Sequence, residues 1–193
     1  MNWMFLPLLL ANAAVIAPGN TEEQILVDFA DAEAHRGFRP INDGVMGGVS
    51  TGAMVHREGE GALFQGVVSL ERNGGFASVR SLPGTYDLSG FDGIALHVRG
   101  DGKTYKLQLK TSAAFDGVQY QARFQAPPDV WRRLLIPFSA FVPTFRGRVL
   151  GDGAPLDPGR IASIGFMISD RQEGPFSLSI ARIGAYRGTI SAP

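Results

Sequence analysis

Three neighbouring stretches decide the fold: Ile94 to Arg99 (IALHVR), Tyr105 to Lys110 (YKLQLK) and Gln119 to Gln125 (QYQARFQ). In the first, Ile94, Leu96 and Val98 alternate with Ala95, His97 and Arg99. In the second, Tyr105, Leu107 and Leu109 alternate with Lys106, Gln108 and Lys110; in the third, Tyr120, Ala122 and Phe124 alternate with Gln119, Gln121, Arg123 and Gln125. Successive side chains of a strand point to opposite faces, so period two puts the apolar set on one side. Such alternation over successive segments predicts an antiparallel sheet with one buried face and one polar face rich in Lys, Gln and Arg.

Outward from there the pattern continues as short strands. They are expected at Ile25–Phe29, Ala53–Arg57, Ala62–Leu70, Phe76–Arg80, Val130–Phe138, Ile161–Ser169 and Phe176–Tyr186. Glu58-Gly59-Glu60-Gly61 is a turn between two of them,. Ala30–Pro40, Leu82–Gly90 and Phe141–Pro158 read as loops, and Asp170–Pro175 as a hairpin-like connection. No stretch longer than a turn has a strong helical period. Many short strands punctuated by Gly and Pro predict an all-β fold, an antiparallel β-sandwich or jelly roll. At 193 residues the chain can bury a sizeable core, and residues 25–187 are expected to form one domain,.

Two glycine-rich stretches stand out, Ile41–Ser50 (INDGVMGGVS) and Asn73–Ser81 (NGGFASVRS). Asn42-Asp43-Gly44 is a turn signal, because Asn and Asp bond nearby amides and Gly accepts positive φ. Gly47-Gly48 indicates a tight bend or a close backbone approach, and Val45 and Met46 between them are expected to be buried,. The pair of stretches reads either as a binding loop or as a demanding turn that closes a sheet edge. If they lie side by side, Asp43 and Arg80 are candidate partners, an acid and a base on adjoining segments. Asn42, Asp43, Asn73 and Arg80 are therefore candidate binding residues. A phosphate loop needs Lys directly after its last glycine, whereas Gly48 is followed by Val49, and no GxGxxG opens a helix; nucleotide binding is not expected,.

Lys and Arg number 18, Asp and Glu 18, so the chain is neutral. A nucleic-acid partner is not expected, since phosphate neutralisation needs an excess of Lys and Arg. There is no Cys, and His35, His56 and His97 are scattered, so no metal site and no cofactor are expected,. Residues 3–10 are apolar and Ala11-Asn12-Ala13 fits an A-x-A cleavage pattern. Residues 1–17 thus read as a signal peptide for export to the periplasm or beyond, or as a retained apolar segment of a membrane-peripheral or cytoplasmic protein. Pro18 to Gln24 then reads as a polar linker.

Chemistry-bearing clusters are sparse. Asp28, Asp31, Asp43, Glu71, Asp101, Asp116 and Asp170 are scattered through turns, where Asp caps backbone amides, and no G-x-S-x-G occurs, so no catalytic residue is expected,. Trp131 reads as an inter-sheet anchor, with a sugar-stacking platform as the alternative. Arg146 and Arg148 (FRGR) put two guanidinium groups on an expected loop, suited to carboxylates and interfaces,. Asp170 and Gln172 (DRQE) form a polar loop of similar standing.

NDGVMGGVS followed by NGGFASVRS resembles the family of complex I intermediate-associated protein 30 (the CIA30 domain), in which both stretches are signature motifs. The likeness continues through Gly100–Tyr105, Trp131–Arg148 and Gly165–Tyr186 and covers about Leu26 to Tyr186. It implies a galactose-binding-like β-sandwich and, in mitochondrial members, a role in assembling respiratory complex I. The expected function is then a non-catalytic interaction domain whose partners are complex I subunits or assembly intermediates. The alternative is glycan binding, as galactose-binding-like sandwiches often bind sugars.

Overall fold

The computed structural model describes residues 21–188; the segment read as a signal lies outside them. Thirteen strands run in order as β1 (Glu22–Asp28), β2 (Phe38–Pro40), β3 (Thr51–Arg57), β4 (Gly61–Val68), β5 (Ala77–Ser81), β6 (Gly93–Arg99), β7 (Thr104–Lys110), β8 (Gln119–Gln125), β9 (Arg132–Pro137), β10 (Val142–Phe145), β11 (Arg148–Val149), β12 (Ser163–Ile168) and β13 (Gly174–Arg187). Short 3-10 turns are the only helical elements among the described residues.

The strands form two sheets with antiparallel pairing between neighbours. One is six-stranded, β3-β4-β13-β6-β9, with β1 also on β13; the other is seven-stranded, β11-β10-β8-β7-β12-β5-β2. This is the antiparallel β-sandwich of jelly-roll type. The long β13 organises the first sheet: Gly174–Ile180 pair with β4, and Arg182–Arg187 with β1. A register shift between Ile180 and Arg182 separates the two halves. The extra residue reverses the alternation, so Leu178 and Ile180 point inward before it and Ile183 and Ala185 after it,.

The inward rows meet in one core. Ile94, Leu96 and Val98 of β6 face Tyr105, Leu107 and Leu109 of β7 and Ala122 and Phe124 of β8, all buried. Tyr105 stacks on Phe124 with ring centres 6.0 Å apart, and Phe124 meets Phe166 edge-on at 6.5 Å, a favoured aromatic geometry,.

Several local expectations are corrected. Ala30–Pro40 is not all loop: a 3-10 turn at Ala34–Gly37 leads into β2, which pairs with β5 as an edge strand. Phe141–Pro158 contains the β10–β11 hairpin, whose pairing stops after two residue pairs. Asp170–Pro175 is not a hairpin, since β12 and β13 lie in different sheets; it carries the chain across the sandwich. Trp131 is not in the core. It lies half-buried against His97, 5.2 Å between ring centres, with the Arg99 guanidinium 5.3 Å from its ring.

Candidate functional site

The two glycine-rich stretches lie side by side, and Asp43 joins them. It is fully buried, at 0% exposure. One carboxylate oxygen accepts from Ser50 N–H (2.9 Å); the other accepts from Ser50 Oγ (2.5 Å), Gly75 N–H (2.7 Å) and Phe76 N–H (3.3 Å). Burial by itself would raise its pKa; the donors of Ser50, Gly75 and Phe76 outweigh that and hold the carboxyl below its ordinary range,. Asn42 does the same for the next rung: its Nδ2 donates to Gly52 O (3.0 Å) and its Oδ1 accepts from Ser78 N–H (3.1 Å). The glycines have distinct reasons. Gly47 has φ +88, the left-handed region, while a Cβ at Gly48 would stand 2.4 Å from Asp43 Cγ,.

Asp43 and Arg80 are not partners, contrary to the pairing expected from their motifs. Arg80 points from β5 to the outer face of the seven-stranded sheet, where its Nη1 donates to Phe115 O at 3.3 Å. Val45 and Met46 are not buried either, at 65% and 62% exposure, because Asp43 and not their side chains anchors the turn. Asn73 sits exposed at φ +60 in the bend after Arg72.

The outer face of the seven-stranded sheet gathers more of the candidates. Register places Arg39, Arg80, Gly165, Gln108 and Gln121 in one row across β2, β5, β12, β7 and β8. Lys110 lies opposite Ser163, and Lys106 opposite Arg123. Asp170 closes one end: it accepts from Lys106 Nζ (2.7 Å) and pairs with Arg123 (2.8 Å). Its burial would raise its pKa, but Lys106 and Arg123 outweigh this and hold it low. Gln172 braces rather than binds, with Oε1 accepting from Thr104 N–H (3.0 Å) and Nε2 donating to Thr104 O (2.7 Å) and Ser169 O (3.0 Å).

The loop between β7 and β8 is strapped over this face. Lys110 Nζ donates to Ala114 O and to Phe115 O (2.9 Å), and Arg146 Nη2 donates to Asp116 Oδ2 (2.7 Å). Lys110, read as a polar-face residue, is therefore buried; Gln108, read likewise, is buried too, with its Nε2 on Met167 Sδ (3.5 Å). Between this loop and β2 lies a cavity of about 260 Å³ lined by Arg39, Arg80, Lys110, Leu82, Phe115 and Ser163. Arg148, on β11, is exposed. A second, open cavity of about 510 Å³ at β3–β4 is lined by Asn42, Thr51, Gln65, Val67 and Phe176, without a charged side chain.

Of the eight candidates, then, Asn42, Asp43 and Gln172 are tied up in bracing bonds, and Arg80 and Asp170 share the polar face. Arg146 reaches toward that face through Asp116. Arg39, Lys106, Lys110 and Arg123 were missed as site residues. For Lys106, Lys110 and Arg123 the signal was the polar half of the period-two alternation; for Arg39 there was none, because β2 was read as loop.

The chain matches the family model described as Complex I intermediate-associated protein 30 (CIA30) over residues 27–180. Relatives named "Complex I intermediate-associated protein 30, mitochondrial" include that of Mus musculus, 36% identical over 53% of this chain and 32% of that protein. That of Neurospora crassa is 28% identical over 66% of this chain and 52% of its own length. That of Drosophila melanogaster is 26% identical over 88% and 64%. The chain thus spans about a third to two thirds of the length of these curated relatives. Among solved structures, a family 11 carbohydrate-binding module of a cellulosomal cellulase of Clostridium thermocellum superposes with a TM-score of 0.65 at 19% identity, covering 89% of this chain and 97% of that one. An agarase superposes with a TM-score of 0.55 at 15% identity, over 89% of this chain and 25% of its own. These likenesses carry the sandwich fold. The motif match, extending over nearly the whole sandwich, carries the family: this chain belongs to the complex I intermediate-associated protein 30 (CIA30) family.

Proposed function

We propose that this domain is a non-catalytic interaction domain that assists assembly of NADH:ubiquinone oxidoreductase by holding complex I subunits or assembly intermediates. The observation that carries this reading is the family match over residues 27–180, which runs through β12 and into β13 and so includes nearly every strand. The contact surface we assign is the outer face of the seven-stranded sheet with the β10–β11 hairpin, where Arg146 and Arg148 stand exposed. Arg in such a position suits protein interfaces, since its planar fork recognises carboxylates and carbonyls. Glycan binding ranks second. It would draw on aromatic platforms, and Tyr105 and Tyr120, on strands of that sheet, turn into the core.

The proposal extends to organisation. Residues 25–187 act as one folding unit, which expression of that fragment with cooperative melting would support. Residues 1–17 direct export; the N-terminal residue of protein recovered from its native cell checks this, and an intact Met1 would overturn it. The relatives' names place those proteins in mitochondria. The function itself is tested by affinity capture of the tagged chain from its native cell, with bound complex I subunits quantified by mass spectrometry. Enrichment of those subunits is expected; their absence above a mock capture would overturn the reading.

A further inference from the structure

The cavity beneath the β7–β8 loop holds a charge that its lining does not balance. Arg39, Arg80 and Lys110 line it, and its described lining contains no Asp or Glu. The loop's own acid, Asp116, is engaged by Arg146. This local excess sits in a chain that is neutral as a whole, 18 against 18. Arg39 and Arg80 are direct cross-strand partners, an arrangement that is unfavourable for like charges,. Among the described residues each of the three cations finds only neutral acceptors. Arg39 Nη1 donates to Arg36 O (2.5 Å), Arg80 Nη1 to Phe115 O (3.3 Å), and Lys110 Nζ to two loop carbonyls. Arg80 Nε–H is buried with no acceptor at all. Burial lowers the pKa of Arg80; burial and then the Arg80 charge lower that of Lys110, and the nearby Asp116 charge only partly offsets them. Buried donors without acceptors are rare and unfavourable, and an anion placed in the cavity would relieve the repulsion among Arg39, Arg80 and Lys110,.

The rim adds a second feature. Leu82 and Phe115, both lining residues, are exposed at 51% and 70%. A free inorganic ion makes no use of exposed apolar side chains; a peptide does. A cavity of about 260 Å³ admits a side chain rather than a folded surface. Arg supplies a planar fork and Lys a point charge, the pair of donors suited to a carboxylate.

We propose that this pocket seats the carboxylate of an acidic segment of the partner protein, with the segment's apolar residues resting on Leu82 and Phe115. The proposal rests on the interaction role above, and assigns that role a recognition chemistry. It places the seat by β2 and β5, under the β7–β8 loop whose Asp116 is held by Arg146.

The test uses the full chain and two labelled peptides, acetyl-Leu-Glu-Glu-Leu-Glu-amide and the same peptide with Gln for Glu. Fluorescence anisotropy reads binding, and proton–nitrogen NMR follows the Arg80 Nε–H signal. The Glu peptide is expected to bind and to shift that signal; the Gln peptide is expected to bind about tenfold more weakly or worse. Arg80→Gln and Lys110→Gln should each weaken the Glu peptide about tenfold, and Arg72→Gln, on an exposed bend elsewhere, should not. Should Lys110→Gln fail to fold, Arg39→Gln, at an exposed position, gives the same readout. Equal binding of both peptides, or equal loss in Arg72→Gln, overturns the pocket. So does inorganic phosphate moving the Arg80 signal at constant ionic strength when the peptide does not, which would make it a free-anion site. Capture in cells separates the two proposals. Complex I subunits still held by Arg80→Gln would remove the pocket and leave the assembly role. A peptide that binds through Arg80, with no such subunits captured by the wild type, would remove the assembly role and leave the pocket.

Discussion

Asp43 and Asp170 are both carboxylates held below their ordinary pKa, and they owe it to different surroundings. Asp43 is fully buried and meets only neutral donors, the amides of Ser50, Gly75 and Phe76 and the Ser50 hydroxyl. Asp170 is about a third exposed and meets cations, Lys106 and Arg123. The first arrangement ties three chain segments together and leaves no oxygen free. The second balances charge on an open face. A low carboxylate pKa therefore marks a folding brace at one place and surface electrostatics at the other, and burial tells them apart.

The sharpest way to break the comparison is to remove each carboxylate. Asp43→Ala would leave buried donors without acceptors and should destabilise the fold by about 3–5 kcal/mol, lowering Tm by roughly 10 °C. Asp43→Asn keeps one oxygen acceptor and should lose less. pH gives an independent check. A carboxyl whose folded pKa is depressed stabilises fully above its unfolded value, near about 3.9, and loses that contribution as pH falls through the folded value,. Chemical denaturation should therefore show wild-type stability falling below about pH 4, with a shallower fall in Asp43→Asn. An equal slope in both would assign the acid sensitivity elsewhere.

The glycines beside Asp43 come next in size. Gly48→Ala drives a Cβ into the Asp43 carboxyl and should destabilise by about 2–3 kcal/mol,. Gly47→Ala meets open space and carries only left-handed strain, about 1–2 kcal/mol,. Thermal melts that reverse this order would show that Asp43 can shift aside.

What the sequence made legible follows from how local each cause is. Period-two alternation is a local property, so Ile94–Val98, Tyr105–Leu109 and Tyr120–Phe124 were read correctly as inward rows. The edge pieces β2 and β11 were not, since three- and two-residue strands are too short to show a period. Asn42, Asp43 and Gly48 could be singled out from turn chemistry, but not the donors that Asp43 gathers from Gly75 and Phe76, more than thirty positions away. Exposure of Val45 and Met46 follows from that distant anchor, so residue type misled. The polar row of the seven-stranded sheet was visible as a pattern; the loop that buries Lys110 was not, because backbone carbonyls carry no sequence signal.

Asp170→Asn should move stability far less than Asp43→Asn. Its carboxylate is about a third exposed, so solvent screens its pairs with Lys106 and Arg123, and the expected change is below about 1 kcal/mol,. A loss as large as that of Asp43→Asn would mean that the polar face also holds the fold together.

The smallest effect on folding belongs to Arg146→Ala/Arg148→Ala, and that is its use. Arg146 is paired only with Asp116 among the described residues, both well exposed, and Arg148 lies exposed on a two-residue edge strand. Neither supports the core, so the double variant should melt with the wild type. If the β10–β11 hairpin is where a partner docks, capture of complex I subunits should fall even so, because Arg contributes to interfaces out of proportion to its share of the surface. Asp43→Asn should do the opposite, melting early yet capturing normally below its Tm. The two measurements together decide the assignment. Normal capture by the double Arg variant, alongside normal melting and lost capture for Asp43→Asn, would move the docking surface to the Ile41–Ser50 turn. There Val45 and Met46 are already turned to solvent and would supply the apolar contact.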